Sequence, residues 1–161
     1  MQVASPTGKE LAMANVYDAA EYILSARGEM PAVKLHKLLY YAQAWSLVWD
    51  EKPLFSQTIE AWKNGPVVRE LYRMHRLEYS VEPGKFKDAI SNEGLSQDQR
   101  DTIDAVLSFY GDKTSQWLSD LTHSEDPWRV ARAGLADGEA SEAEITQASM
   151  AEYYSGLAAP K

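Results

Sequence analysis

The 161-residue chain contains no cysteine, which excludes disulfides, thiolate nucleophiles and cysteine-based metal sites. That composition suits a reducing compartment, so the cytoplasm is the expected location. Histidine is scarce: His36, His75 and His123 are the only three. No two stand in the H-x-x-x-H spacing, and zinc would need carboxylates drawn from scattered segments, so no metal is expected. The chain has no Walker-type phosphate loop and no glycine-rich dinucleotide fingerprint, and no cofactor is expected. It also lacks any run approaching the roughly 20 apolar residues that span a bilayer, and its first fourteen residues hold no signal-peptide core. A membrane is not an expected partner.

Positive charge is in short supply as well. Lys and Arg number 16 against 24 Asp and Glu, a formal net charge of −8 that repels a phosphate backbone, so nucleic acid is not an expected partner. The distribution is uneven. Residues 63–87 carry six basic residues against three acidic ones, whereas residues 93–154 carry four against thirteen.

What the chain has in abundance is helical periodicity, at a length suited to one domain with one core. Residues 1–12 carry little pattern and read as a disordered leader, the domain is expected over 13–155, and 156–161 read as a frayed tail. Asn15 is expected to cap a helix with the apolar face Val16, Ala19, Ala20, Ile23 and Leu24, which Gly28 ends. A second helix, with Pro31 in its first turn, carries Leu35, Leu38, Leu39, Ala42, Trp45 and Trp49. Tyr40, Tyr41, Leu47 and Val48 widen its apolar arc, which marks it as the central, nearly surrounded helix. Residues 54–62 read as extended, and a pairing of 56–62 with 85–90 is expected.

Asn64-Gly65-Pro66 turns the chain, with Pro66 expected to start a third helix through Val67, Leu71, either Met74 or His75, and Tyr79. Later helices are marked by a Ser96–Gln99 capping box, by Asp112 or Thr114, by an Asp126 cap before Pro127, and by a Ser141–Glu144 capping box. The expected fold class is all-α: a compact bundle of about six to seven helices around a central apolar helix, with room for a short β-hairpin.

Candidate chemistry is thin. His123, Ser124, Glu125 and Asp126 are the residue types of a hydrolytic triad, but triads assemble from distant segments and no nucleophile elbow is present. A helix cap at Asp126 with His123 tying the preceding helix end is the simpler reading, and no catalytic residue is assigned. A binding surface has more support. Arg69, Arg73 and Arg76 recur at helical spacing in the net-positive stretch, beside Trp62, Lys63 and Tyr72. Trp, Tyr and Arg dominate interface hot spots, so these six residues are the candidate partner site.

Several separated blocks occur in order: Lys34-Leu35-His36-Lys37-Leu38-Leu39-Tyr40-Tyr41-Ala42-Gln43, then Pro53-Leu54-Phe55, then Ile59-Glu60-Ala61-Trp62, and then Gly65-Pro66-Val67-Val68-Arg69-Glu70-Leu71-Tyr72. Leu121-Thr122-His123-Ser124-Glu125-Asp126-Pro127-Trp128 follows. Together they resemble the Panacea domain family, the SocA-like antitoxin family that includes GepA-type phage-associated proteins. The resemblance covers about residues 13–155.

It implies a cytoplasmic bacterial or prophage protein that neutralises a cognate protein toxin by direct binding, without catalysis. One branch of the family delivers its toxin to the ClpXP protease, which makes the ClpX machinery a second implied partner. Some members carry a DNA-binding extension, for which a twelve-residue leader is too short. The family often has Gln where this chain has His36, which reads as a tolerated surface change.

The motif residues have a scaffold reading in which the Gly65-Pro66 turn clamps the central helix and Trp128 covers its end. In that reading Lys34, Leu35, Lys37, Leu38, Leu39, Tyr40, Tyr41, Gln43, Trp62, Gly65, Pro66, Val67, Tyr72, Thr122, His123, Pro127 and Trp128 hold the shape, and partner specificity lies on the surface around them.

Overall fold

The computed structural model describes residues 14–136 and 138–157; the expected leader and the last four residues of the expected tail lie outside them. Seven helices dominate the described residues: α1 (Val16–Arg27), α2 (Ala32–Trp49), α3 (Arg69–Tyr72), α4 (Gln97–Tyr110), α5 (Ser115–Ser124), α6 (Asp126–Ala131) and α7 (Gln147–Ser155). Five short strands accompany them: β1 (Met30–Pro31), β2 (Ile59–Trp62), β3 (Gly65–Val68), β4 (Ser80–Val81) and β5 (Glu144–Ile145). β1 pairs with β4, and β3, β2 and β5 form a second antiparallel sheet in that order.

Helix α2 is the axis on which the other elements pack, with α4, α7, β3, α5 and α1 all against it. Every residue from Leu35 to Ser46 is buried, including Lys37, Gln43 and His36. His36 is therefore not a surface position: on a helix surrounded on all sides, no face is left for solvent. Gln43 shows how a polar side chain is accommodated there. Its Oε1 accepts from the Leu54 and Phe55 amides at 2.7 and 3.2 Å, and its Nε2 donates to the Phe55 carbonyl at 2.8 Å. One amide thus satisfies the backbone of a buried, strandless loop.

Local caps follow the sequence. Asn15 with Asp18 and Ser96 with Gln99 form full capping boxes, and Thr114 caps α5. Elsewhere tertiary pairing prevails. Pro66 starts no helix: it sits in β3, opposite Ala61, on an edge strand where its missing N–H costs no ladder bond. Val67 and Val68 extend that strand, so the third helix shrinks to Arg69–Tyr72. His75 rather than Met74 is the buried member, and Tyr79 stands exposed instead of in the core.

The expected pairing of 56–62 with 85–90 does not form. Residues 59–62 pair with 65–68 and with 144–145, while Lys87–Ala89 make a 3₁₀ turn. The Ser141–Glu144 box is replaced by strand β5, whose Ile145 buries against Ile59, and Thr146 caps α7 instead. Glu125, not Asp126, holds the cap position of α6. Pro31 likewise precedes its helix, pairing in β1 with φ −58° and ψ 139°.

Candidate functional site

The β2–β3 hairpin lies across α2, and its turn is fixed from two sides. Ser119 Oγ on α5 donates to the Asn64 carbonyl at 3.1 Å, and Gly65, with φ +129°, passes directly over the end of the Lys37 side chain. Trp128 Nε1 donates to the Trp62 carbonyl at 2.8 Å, and Arg132 donates to the Ala61 carbonyl at 3.0 Å while its guanidinium lies 4.9 Å from the Trp128 ring centroid. His123 stacks on Trp128 with centroids 3.9 Å apart and planes at 11°. The Gly65-Pro66 turn, Thr122, His123 and Trp128 are thus brought together beside the hairpin, while Pro127 is buried at the start of α6.

Beneath the hairpin two histidines meet. The Val68 amide donates to His36 Nδ1 at 3.1 Å, which leaves the proton of neutral His36 on Nε2, and that nitrogen stands 2.8 Å from His75 Nε2. His36 is then the donor, His75 carries its proton on Nδ1, and that buried N–H has no partner among the described residues. Burial pushes His36 down to about 3, aided by neighbouring His75 and Lys37. His75 is lowered as well, chiefly by burial. The pair is neutral at pH 7. His36 was missed as a site residue because nothing local marks its pairing with a residue 39 positions away.

Lys37 is the second unusual group. It is only 3% exposed, and its ammonium makes no hydrogen bond or ion pair among the described residues. Burial lowers it to about 8. Lys37, the histidine pair, Trp62, Pro66, Val67 and Tyr72 line a cleft of ≈ 320 Å³ between the hairpin and the loop after α3. Exposed apolar side chains edge the cleft: Val33 and Tyr79 line it, at 42% and 80% exposure. Leu77, in the loop between His75 and Tyr79, is 92% exposed. Leu77 carries no sequence signal, because only the shortening of the third helix turns it outward.

The six candidate partner residues separate into two groups. Arg69 is held in place: it forks onto Glu60 through Nε and Nη2 at 3.0–3.2 Å, reaches Glu142 at 2.9 Å and lies 5.7 Å from the Trp62 ring centroid. Trp62 also donates to Glu60 Oε1 at 2.8 Å and meets Tyr72 edge-on at 4.9 Å. Lys63, Arg73 and Arg76 are exposed and make no ion pair among the described residues. They do not form one helical stripe with Arg69, since α3 ends at Tyr72 and Arg73 occupies its C-terminal cap.

The residues weighed for hydrolysis have other tasks. Glu125 Oε1 accepts from the Tyr41 and Tyr154 hydroxyls, both at 2.7 Å, and Tyr40 in turn donates to Tyr154 at 2.9 Å. Burial raises the Glu125 carboxyl, and the two tyrosine bonds oppose that. Ser124 Oγ donates to the Leu121 carbonyl at 2.7 Å, and Asp126 pairs with Arg129. Of the remaining motif residues, Leu35, Leu38 and Leu39 are fully buried core, and Lys34 is half-buried and lowered by burial and by nearby Arg27.

Similarity to known proteins covers this same region. The curated relative Antitoxin SocA from Caulobacter vibrioides (strain NA1000 / CB15N) is 33% identical over 110 residues, which cover 62% of this chain and 58% of the relative. The match therefore spans little more than half of that relative's length. No solved structure matches the chain. The profile of the family described as "Antitoxin SocA-like, Panacea domain" matches residues 35–129, from the start of the buried stretch of α2 to α6. The chain belongs to the SocA-like Panacea domain family of antitoxins.

Proposed function

We propose that this protein is the antitoxin of a toxin–antitoxin pair, acting in the cytoplasm by binding a toxic protein directly and masking it. Family membership supports the antitoxin role. The observation that carries direct binding is the cleft edge, where exposed Leu77 and Tyr79 stand near Arg73, Arg76 and Lys63, which make no ion pair among the described residues, on a chain of net charge −8. A monomer has no reason to expose such side chains together, whereas apolar anchors ringed by basic residues are the usual make-up of an interface. No helix of the described residues is long and apolar enough to cross a membrane.

The test is co-expression of the products of the genes flanking this one, singly, with and without the chain. One of them should arrest growth alone and not together with it, and the two should co-purify as a stoichiometric complex. Toxin half-life separates masking from delivery to a ClpX-type protease: masking leaves the half-life unchanged or longer, and delivery shortens it in a ClpX-dependent way. Failure of the chain to rescue growth from any flanking product would overturn the antitoxin reading.

A further inference from the structure

We propose that the cleft under the β2–β3 hairpin receives an acidic segment of the neutralised protein, with a carboxylate on Lys37 and an adjacent apolar side chain against Val33, Tyr72 and Tyr79. This deepens the antitoxin reading and rests on it.

Two buried donors in the cleft wall are left without acceptors. His75 is 4% exposed, and its buried Nδ1–H has no partner among the described residues; Lys37 is 3% exposed, and its ammonium, which only the cleft leaves open, makes no hydrogen bond or ion pair among them. Keeping an ammonium largely out of water without a counter-charge is costly to a fold, and a buried N–H without an acceptor adds to that cost. The fold nevertheless devotes a glycine at φ +129° to accommodating the lysine: a Cβ at Gly65 would lie 3.0 Å from Lys37 Cε and 3.3 Å from its Nζ.

Charge around the opening favours an anion. Lys63 and Arg76 line the cleft without ion-pair partners among the described residues, and the acidic residue there, Glu78, is already bound to Lys85 at 2.8 Å. On the far side of the turn, a depression that also reaches Lys37 holds Asp120, which accepts from Gln116 Nε2 at 2.8 Å rather than meeting the lysine. Both unpartnered groups donate and neither accepts, so the complement is an acceptor bearing negative charge. The walls are otherwise mostly apolar, which a free inorganic anion would leave unfilled and an acidic side chain beside a bulky apolar one would fill.

The test uses the full chain and a random peptide library displayed on phage, selected in parallel on wild type and on Lys37→Met at pH 7. Wild type should enrich peptides with Asp or Glu next to a bulky apolar residue. Exchanging that acid for its amide in a synthetic peptide should weaken binding to wild type at least tenfold and leave binding to Lys37→Met unchanged. Should Lys37→Met not fold, NMR of the Lys37 ammonium in the wild-type chain answers the same question, because a bound carboxylate must raise the pH at which Lys37 loses its proton. No enrichment, enrichment of peptides without an acid, or a Lys37 signal indifferent to the peptide overturns the proposal. Growth rescue by the wild-type chain tests the antitoxin reading and not the cleft, so the two failures are separable.

Discussion

Gly65 lies over the ammonium end of Lys37, where a Cβ would come within 3.0 Å of Lys37 Cε, and it holds a φ of +129° that side-chain-bearing residues avoid. The turn that lies against Lys37 of α2 also borders the cleft, through Asn64 and Pro66. Gly65→Ala must strain the backbone and nudge the end of the lysine by a few tenths of an ångström. A loss of about 1–3 kcal/mol in urea unfolding is expected, from backbone strain of that order. Unfolding at the wild-type midpoint would show that the turn relaxes freely and clamps nothing.

Lys37 makes stability depend on pH in a defined direction. Burial holds it at about 8 against 10.5 for an exposed lysine, so below pH 8 both folded and unfolded chains carry the proton and the folded chain bears the cost of burying it. Between about pH 8 and 10.5 the unfolded chain binds more protons, and stability rises with pH. Lys37→Met removes that cost. It should be more stable than wild type at pH 7, by up to about 3 kcal/mol at 1.36 kcal/mol per pKa unit, with the gap closing toward pH 10. Taking the difference between the two proteins cancels the buried tyrosines Tyr41 and Tyr154, whose raised pKa values act the other way in alkali. A gap independent of pH would show that Lys37 is charged for free.

His36 acts at the acid end. Its folded pKa of about 3 lies below the ordinary 6.5, so the unfolded chain binds more protons between those values and stability falls as pH drops through that window. The full effect is on the order of several kcal/mol. His36→Gln, which retains an acceptor for the Val68 amide, should flatten the wild-type loss of melting temperature between pH 6.5 and 4. The comparison must again be a difference, because Glu125, raised by burial, has the opposite sign in acid. Equal acid sensitivity in the two proteins would place the titration elsewhere.

How far these features were legible in the chain depends on how local their causes are. The caps at Asn15, Ser96 and Thr114 involve residues two or three positions apart, and they formed as read. The burial of α2 was visible in its wide apolar arc, but not the consequence that His36, Lys37 and Gln43 are enclosed with it, because enclosure comes from elements as distant in sequence as α7, where Tyr154 meets Tyr40 across 114 positions. Pro66 and Ser141–Glu144 were misread for the same reason. Each has a sound helical start signal, and each is drawn into strand by Ile59–Trp62, which pairs with both sides of its neighbourhood. The cleft had no sequence signature: it exists only because the chain after Tyr72 leaves the helix and turns Leu77 and Tyr79 outward.

Glu125 gives a test of the core that leaves the cleft alone. Its Oε1 takes two buried tyrosine hydroxyls at 2.7 Å, tying α2 and α7 to the start of α6. Glu125→Ala leaves both hydroxyls without an acceptor, at about 1–3 kcal/mol each, and should lower stability by on the order of 3 kcal/mol. Glu125→Gln keeps a carbonyl oxygen in place and should lose far less. Thermal melts of the pair decide it, and an equal loss in both would mean that charge, not hydrogen bonding, is what the tyrosines require.

The arginines separate folding from binding most cleanly. Arg69 is committed to Glu60, Glu142 and Trp62, so Arg69→Glu sets a like charge against two carboxylates and should lower the melting temperature before any partner is added. Arg73 and Arg76 are exposed and make no ion pair among the described residues, and surface substitutions of this kind usually change stability by less than about 0.5 kcal/mol. If the neutralised protein docks across the cleft edge, reversing their charge puts repulsion where attraction is needed. The loss of a buried, hydrogen-bonded charge pair costs affinity on the order of 2–5 kcal/mol. The Arg73→Glu, Arg76→Glu double variant should therefore melt with wild type and bind its toxin at least thirtyfold more weakly, with most of the salt dependence of association gone. Binding should be measured by titration calorimetry at two salt concentrations. A double variant that folds, binds and rescues growth as wild type does would move the docking surface away from this edge, to the acidic helices α4 and α5.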